Sequence, residues 1–390
     1  MVRQLRAGAE YSRFPLVQRP RPVATPLATR VRELRELAAR EDEDNAIIRA
    51  AQVCNKAALI ASDCGLADLA RDLCWQQYDA FAQAGHLRGR ASLLALQPLL
   101  NLPRQRIRES DGEGAYAMLM DLYHGVRERD DVLIGGRHVS LSYLTGTPED
   151  HQAACSLVWA SVLADGTRAL VLSGRLGDAA RHAETHRGVG QRLLDGRQAV
   201  ILALIGDGDV GQASALVEQS SVVEPWERAV QGVLWAICLL GAGADAERAI
   251  EGMLDTVLAL LARNDATTTL FRVRMGMTAL DLACAHPAMS VSELRAELIA
   301  AARSDGYSAR ELLACPLLRP AMTADQRTEL AGLMRICGLD PSAVPESLRG
   351  GLISTASLAE GRLRALVSGI TLLGMALGKH PTSIFGSRDS

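Results

Sequence analysis

From Pro26 onward, apolar side chains return every three or four positions, the spacing that lays one apolar stripe along an α-helix. The stripes stop at glycines, prolines and short polar clusters. Reading from breaker to breaker predicts helices over 26–40, 43–64, 66–84, 88–109 and 113–129. Gly65 and Gly85 follow the last apolar positions of two of them, where glycine accepts the left-handed backbone that ends a helix. The pattern then changes: Asp131 to Ser142 holds two β-prone runs around Gly135-Gly136, which predicts one short hairpin near 131–142. Thr147-Pro148-Glu149-Asp150 restarts the helical pattern with an N-cap hydroxyl, a proline at the first helical position and acids facing the helix dipole. Further helices are expected over 148–174, 177–187, 190–207, 209–219, 223–241, 245–263, 267–285, 291–304, 308–314, 323–337 and 345–378. The turns between them are short, so consecutive helices should be antiparallel neighbours.

Gly174-Arg-Leu-Gly-Asp-Ala179 recurs 34 residues later as Gly208-Asp-Val-Gly-Gln-Ala213. This is the chain length of one helix-turn-helix unit in a stacked array. These residues resemble the tetratricopeptide (TPR) family, in which a glycine closes the first helix, a small alanine follows where the two helices touch, and a proline comes twelve residues after that. Gly174 with Ala179 and Gly208 with Ala213 fit the first two positions, and Pro225 fits the third. Gly243, with Asp245 and Ala249, is a looser third copy. The pattern departs from the family at His186 and Ser220, where a second alanine is usual, and at Gln191, where proline is. The resemblance is clearest over 148–263. It implies an all-α, TPR-like α-solenoid of antiparallel helix pairs whose concave groove binds a protein or peptide.

The organisation that follows is a flexible basic arm over 1–25, an amino-terminal helical region over 26–130 and a hairpin and linker over 131–147. TPR-like repeats over 148–265, carboxy-terminal helices with a cap over 266–378 and a tail over 379–390 complete it. The arm holds Arg3, Arg6, Arg13, Arg19 and Arg21 among Pro15, Pro20 and Pro22, without periodicity.

One motif competes with the repeat. Gly206-Asp-Gly208-Asp-Val-Gly211 is a formal G-x-G-x-x-G after the apolar run Ala199–Ile205, as in a dinucleotide-binding turn. Asp207 and Asp209 would oppose a phosphate, and no second β-rich run follows. The repeat accounts for the same glycines, so no cofactor is expected.

Composition narrows the class. Apolar residues make up 48% of 390 residues and aromatics only 4%, which suits Ala- and Leu-rich helical packing. A net charge of −3 with interspersed signs argues against general nucleic-acid binding. Eight cysteines with no C-x-x-C pair and no signal peptide predict a reduced, cytoplasmic chain without zinc or disulfides. The weakly polar stretch Ala365–Gly378 is too short to span a bilayer, and no membrane role is expected.

Candidate partner-binding residues concentrate in the amino-terminal helices. Asn55, Lys56 and Asp63 interrupt an apolar helix, Lys56 and Lys379 being the only lysines. The next helix carries Trp75, Gln76 and Tyr78, and Arg104 and Arg108 follow Pro103. Amide, cation and aromatic groups of this kind can satisfy a bound peptide backbone or carboxylate. His182 and His186 share a helix face but lack the H-E-x-x-H order and a third ligand, so no metal is assigned. The function these features favour is a noncatalytic protein- or peptide-binding adaptor, regulator or accessory factor in a bacterial pathway, with a homo-oligomer allowed. The alternative is an all-α enzyme using carboxylates, His124 or the Tyr116 and Tyr123 pair; a deep polar pocket around Asp63 or His124 would overturn the adaptor reading, whereas an open concave groove lined with Asn, Arg and aromatic residues would fit it.

Overall fold

The computed structural model describes residues 13–377 apart from 41–44, 84, 86, 143, 287 and 288. Among the described residues the chain is all-α with one two-stranded sheet. The first helices are α1 (Leu27–Ala39), α2 (Ala46–Asp63), α3 (Ala67–Ala82), α4 (Arg90–Arg108) and α5 (Gly112–Glu128). The hairpin follows, β1 (Val132–Ile134) pairing antiparallel with β2 (Arg137–Val139), with Val132 opposite Val139. Its turn residues Gly135 and Gly136 have φ of 57° and 83°, the positive pair that a two-residue hairpin of this hand demands.

α6 (Pro148–Ser161) starts as its sequence predicts, with the Thr147 hydroxyl accepting the Asp150 amide at 3.1 Å. A π-helical turn, Val162–Gly166, carries it into α7 (Thr167–Leu172). The remaining helices are α8 (Leu176–Thr185), α9 (Asp195–Asp207), α10 (Val210–Glu218), α11 (Pro225–Ala242) and α12 (Glu247–Leu261). They continue as α13 (Thr269–Cys284), α14 (Ser292–Ala302), α15 (Gly306–Ala314), α16 (Ala324–Ile336) and α17 (Glu346–Leu377). Most boundaries fall within two or three residues of the breaker-to-breaker expectation; α9 starts later because Gly188, Gly190 and their neighbours form an irregular connection.

The two repeated turns have a common build. Gly174 and Gly208 take left-handed φ of 71° and 86° at the ends of α7 and α9, and Asp209 then caps α10 by accepting the Gln212 amide at 3.1 Å. Ala179 and Ala213 are fully buried on α8 and α10, where a larger side chain would hold neighbouring helices apart. Pro225 opens α11, whose first turn is closed by reciprocal Glu224 and Glu227 contacts. Ala199–Ile205 lies inside α9, so the run that a dinucleotide-binding turn would need as a strand is helical.

From α1 to α16, helices adjacent in sequence are adjacent in space, and α17 returns to pack on α1, α2 and α3. Buried apolar side chains form two large groups. One joins α1–α6, the hairpin and α17; the other runs from Leu170 in α7 to Leu330 in α16. The helical stretch Pro148–Leu172 is long and apolar enough to cross a membrane by length and composition alone, and it contributes to both groups.

Residues 13–25, predicted to be a flexible arm, are docked. Phe14 and Leu16 are 1% and 2% exposed and belong to the second apolar group, whereas the chain from Leu27 onward joins the first. The charge of the segment masked its two apolar anchors in the sequence, and each of its described arginines has an acidic partner. The predicted tail, 379–390, and residues 1–12 lie outside the described residues.

Candidate functional site

A cleft of about 910 Å³ opens between α1, α2 and α4 on one side and α7, α13 and α15 on the other. The arm forms one of its walls. Eight arginines and Lys56 line it against only Glu33 and Asp63.

The helices grip the arm as an extended strand would be gripped. Gln198, wholly buried in α9, accepts the Leu16 amide at 2.7 Å and donates to the Leu16 carbonyl at 2.9 Å, pairing its amide with a peptide group. A second Gln198 hydrogen bond, to the Leu193 carbonyl at 2.7 Å, fixes that amide's orientation. Farther along, the Arg21 amide donates to the Thr267 carbonyl at 2.8 Å and the Ala24 amide to Asp305 at 2.9 Å. The Cys337 thiol donates to the Ala24 carbonyl at 2.9 Å. Side-chain charges add register: Arg13 pairs with Asp281, Arg19 with Asp195 at 2.6 Å and Arg21 with Asp63 at 2.8 Å.

Asp63, the last residue of α2, is the electrostatic centre of the cleft. Arg30 and Arg108 approach its carboxylate at 3.5 and 3.6 Å in addition to Arg21, and the Tyr307 hydroxyl donates to it. Arg21 also stacks on the Tyr307 ring, 3.7 Å from its centroid. Burial, then the nearby Asp63 charge, pushes the Tyr307 hydroxyl up to about 12, so it remains a donor at neutral pH. Burial works against the charge on Arg21, but Asp63 and Tyr307 together hold its pKa above the ordinary value; on Arg108 burial prevails and the pKa falls. One carboxylate thus serves three guanidiniums, and both of its oxygens are taken. The cleft lies at Asp63, where an enzyme was expected to have its pocket, and both Asp63 oxygens are engaged there by arginines and Tyr307.

Four predicted site residues, Lys56, Asp63, Arg104 and Arg108, line the cleft. Arg108 also donates to Ser62 at 2.6 Å, and Arg104 is held by Asp165 at 2.8 Å. The other four stand elsewhere. Asn55 accepts from Asn101 at 2.5 Å between α2 and α4. Trp75 lies under the Arg137 guanidinium at 4.4 Å, and Tyr78 donates to the Ser140 carbonyl at 3.1 Å, so both serve the hairpin. Gln76 is exposed. Sequence reasoning missed Gln198, Arg168, Arg274 and Tyr307. Gln198 and Arg168 did leave a signal, since each is a polar residue set against an apolar helical run, Ala199–Ile205 and Ala169–Leu172 respectively.

A second polar group lies on α5 and α8. His182 is buried; its Nε2 donates to the Val162 carbonyl at 3.0 Å, which leaves Nδ1 to accept from Tyr116 at 3.1 Å. His186 lies against His182 with the rings tilted and 4.6 Å between centroids, and Tyr123 meets both His186 and His124 edge-on at 5.4 and 5.5 Å. Burial lowers the pKa of His182 and of His186, aided by the mutual proximity of His186 to His182 and of His124 to His186. Because the folded values lie below the unfolded imidazole value of about 6.5, the unfolded chain protonates first as pH falls. The stability these residues confer is complete above that value and is lost as pH drops through it towards the folded values. Denaturant midpoints should therefore hold between pH 8 and 7 and decline below about 6.5, with a shallower decline in His182→Gln. Identical profiles for the two proteins would refute the assignment.

Comparison with family models, with curated proteins and with solved structures returns no significant match.

Proposed function

We propose that this chain is a noncatalytic, TPR-like helical-repeat protein whose central cleft holds an extended peptide of a partner, as an adaptor, regulator or accessory factor. The observation that carries this reading is the arm itself. Residues 13–25 are held in the manner of a groove-bound peptide: two buried apolar anchors, backbone hydrogen bonds to Gln198, Thr267 and Asp305, and three arginines on three separate aspartates. Pro15, Pro20 and Pro22 favour the extended backbone in advance, which reduces the entropy lost on docking. The solenoid arrangement draws support from sequence-neighbour packing and from the buried alanines of the two repeated turns. The preferred occupant is an extended, arginine-bearing, proline-containing segment, with the arm standing in its place.

A labelled peptide of residues 13–25 should bind a full-length Phe14→Ala/Leu16→Ala variant measurably more tightly than the native chain, whose own arm fills the groove. Fluorescence anisotropy reads this directly, and replacing the three peptide arginines by glutamate should abolish it. Absence of binding to a variant that keeps its helical circular dichroism would remove the reading. The alternative of an all-α enzyme draws on Tyr307 in the cleft and on the Tyr116–His182 pair. It would be favoured instead if variants of those residues left peptide binding intact but changed turnover of a captured small molecule.

A further inference from the structure

With the arm in place the cleft still has about 910 Å³ of open space, and its charge is unbalanced. Of the acids around it, Asp165 is paired with Arg104, Glu311 with Arg274, Asp195 through one oxygen with Arg19 and Asp281 with Arg13, while Glu33 on the lining is exposed to solvent. Arg168 on α7 lines the same cleft and meets no acceptor within ion-pair distance among the described residues. Burial, then Arg274 and Arg19, pushes its pKa down to about 10 against the attraction of Asp165 and Glu311. Arg168 is half-buried, and with no acidic partner among the described residues its guanidinium is left to water or to an anion that enters the cleft. At the other side, three guanidiniums divide one Asp63 carboxylate and leave a second surplus of positive charge. The lining also carries apolar side chains, Ile60, Leu270 and Phe271 among them.

We propose that the cleft is a binding site for a phosphate monoester with an apolar tail, its phosphate anchored on Arg168 and its tail laid along Ile60, Leu270 and Phe271. The planar guanidinium fork matches a phosphate's paired oxygens, and the charges of Arg274 and Arg19 acting on Arg168 add to its attraction for an anion. A neutral or cationic small molecule gains nothing from either feature. The arm is a wall of this site and not its competitor, so the site does not depend on a partner peptide entering the groove.

Octyl phosphate, titrated calorimetrically into the native full-length protein, should bind saturably and more tightly than inorganic phosphate or octanoate. Arg168→Gln should weaken it by at least about tenfold, the loss of one charge-assisted anchor. Arg168→Lys, which keeps the charge but not the fork, should fall between. Arg181→Gln, at an exposed arginine paired with Asp178, should bind as the native protein does. Because Arg168 has no ion-pair partner among the described residues, Arg168→Gln should keep the native denaturation midpoint; if it fails to fold, Arg168→Lys carries the comparison. Equal affinity of native and Arg168 variants, octanoate binding as well as octyl phosphate, or no saturable octyl phosphate binding would each overturn the proposal.

Discussion

Phe14→Ala/Leu16→Ala is expected to destabilise the protein by about 3–6 kcal/mol. Each truncation removes a side chain that is almost wholly buried among the helices from α7 to α16, and singly such changes remove about 3–5 kcal/mol for Phe and 2–5 for Leu. The pair should lose less than the sum. Once the first truncation weakens docking, the limit is the arm's own net binding free energy, because nothing further is lost after it detaches. Detachment would also release Arg13, Arg19 and Arg21 from their aspartates and strip the Gln198 amide of its partner. Urea unfolding measures the free energy. Trypsin measures the release: it cuts after arginine but not before proline, so the bond after Arg13 should become labile while Arg19-Pro20 and Arg21-Pro22 resist. An unchanged midpoint together with unchanged protection at Arg13 would show that the arm contributes nothing to the fold.

Asp63→Asn is expected to have the other large effect, a loss of about 2–4 kcal/mol. The substitution keeps the shape and removes the single negative charge beneath Arg21, Arg30 and Arg108. Breaking a fully buried pair costs about 3–5 kcal/mol, but Arg21 and Arg108 side chains are 32% and 38% exposed, so water screens part of the repulsion. Arg30 is only 11% exposed and has the least recourse to water. Asp63→Asn/Arg30→Met should accordingly recover part of the stability, and a double-mutant cycle isolates that coupling. Additive losses in the cycle would mean that Arg30 and Asp63 do not act on each other.

The helices were legible in the sequence because each ends at a local signal: Thr147 before Pro148, glycine at 174 and 208, Gly135-Gly136 between two β-prone runs. Half of the predicted site residues reached the cleft for a related reason. Lys56, Asp63, Arg104 and Arg108 are polar interruptions on faces that turn inward. What could not be read was long-range. Nothing local to Phe14 and Leu16 announces that Gln198 will present an amide to them, and Tyr307 meets Asp63 across most of the chain. Trp75 and Tyr78 stand at the hairpin and not at the cleft, because aromatic groups serve a hairpin's underside as readily as a binding surface and their place is decided by where β1 and β2 fold back.

The return of α17 to α1, α2 and α3 bears on how the chain is made. A ribosome releases α1–α3 first, yet Leu352, Ala356 and Leu363, which complete their apolar face, arrive only near the end. Phe14 and Leu16 wait in the same way for α9–α13. Through most of translation the early helices must therefore carry uncovered apolar surface, the condition under which nascent chains recruit chaperones or aggregate. Shortening the chain before α17 should thus yield a protein whose amino-terminal half is insoluble, although no residue of that half has changed.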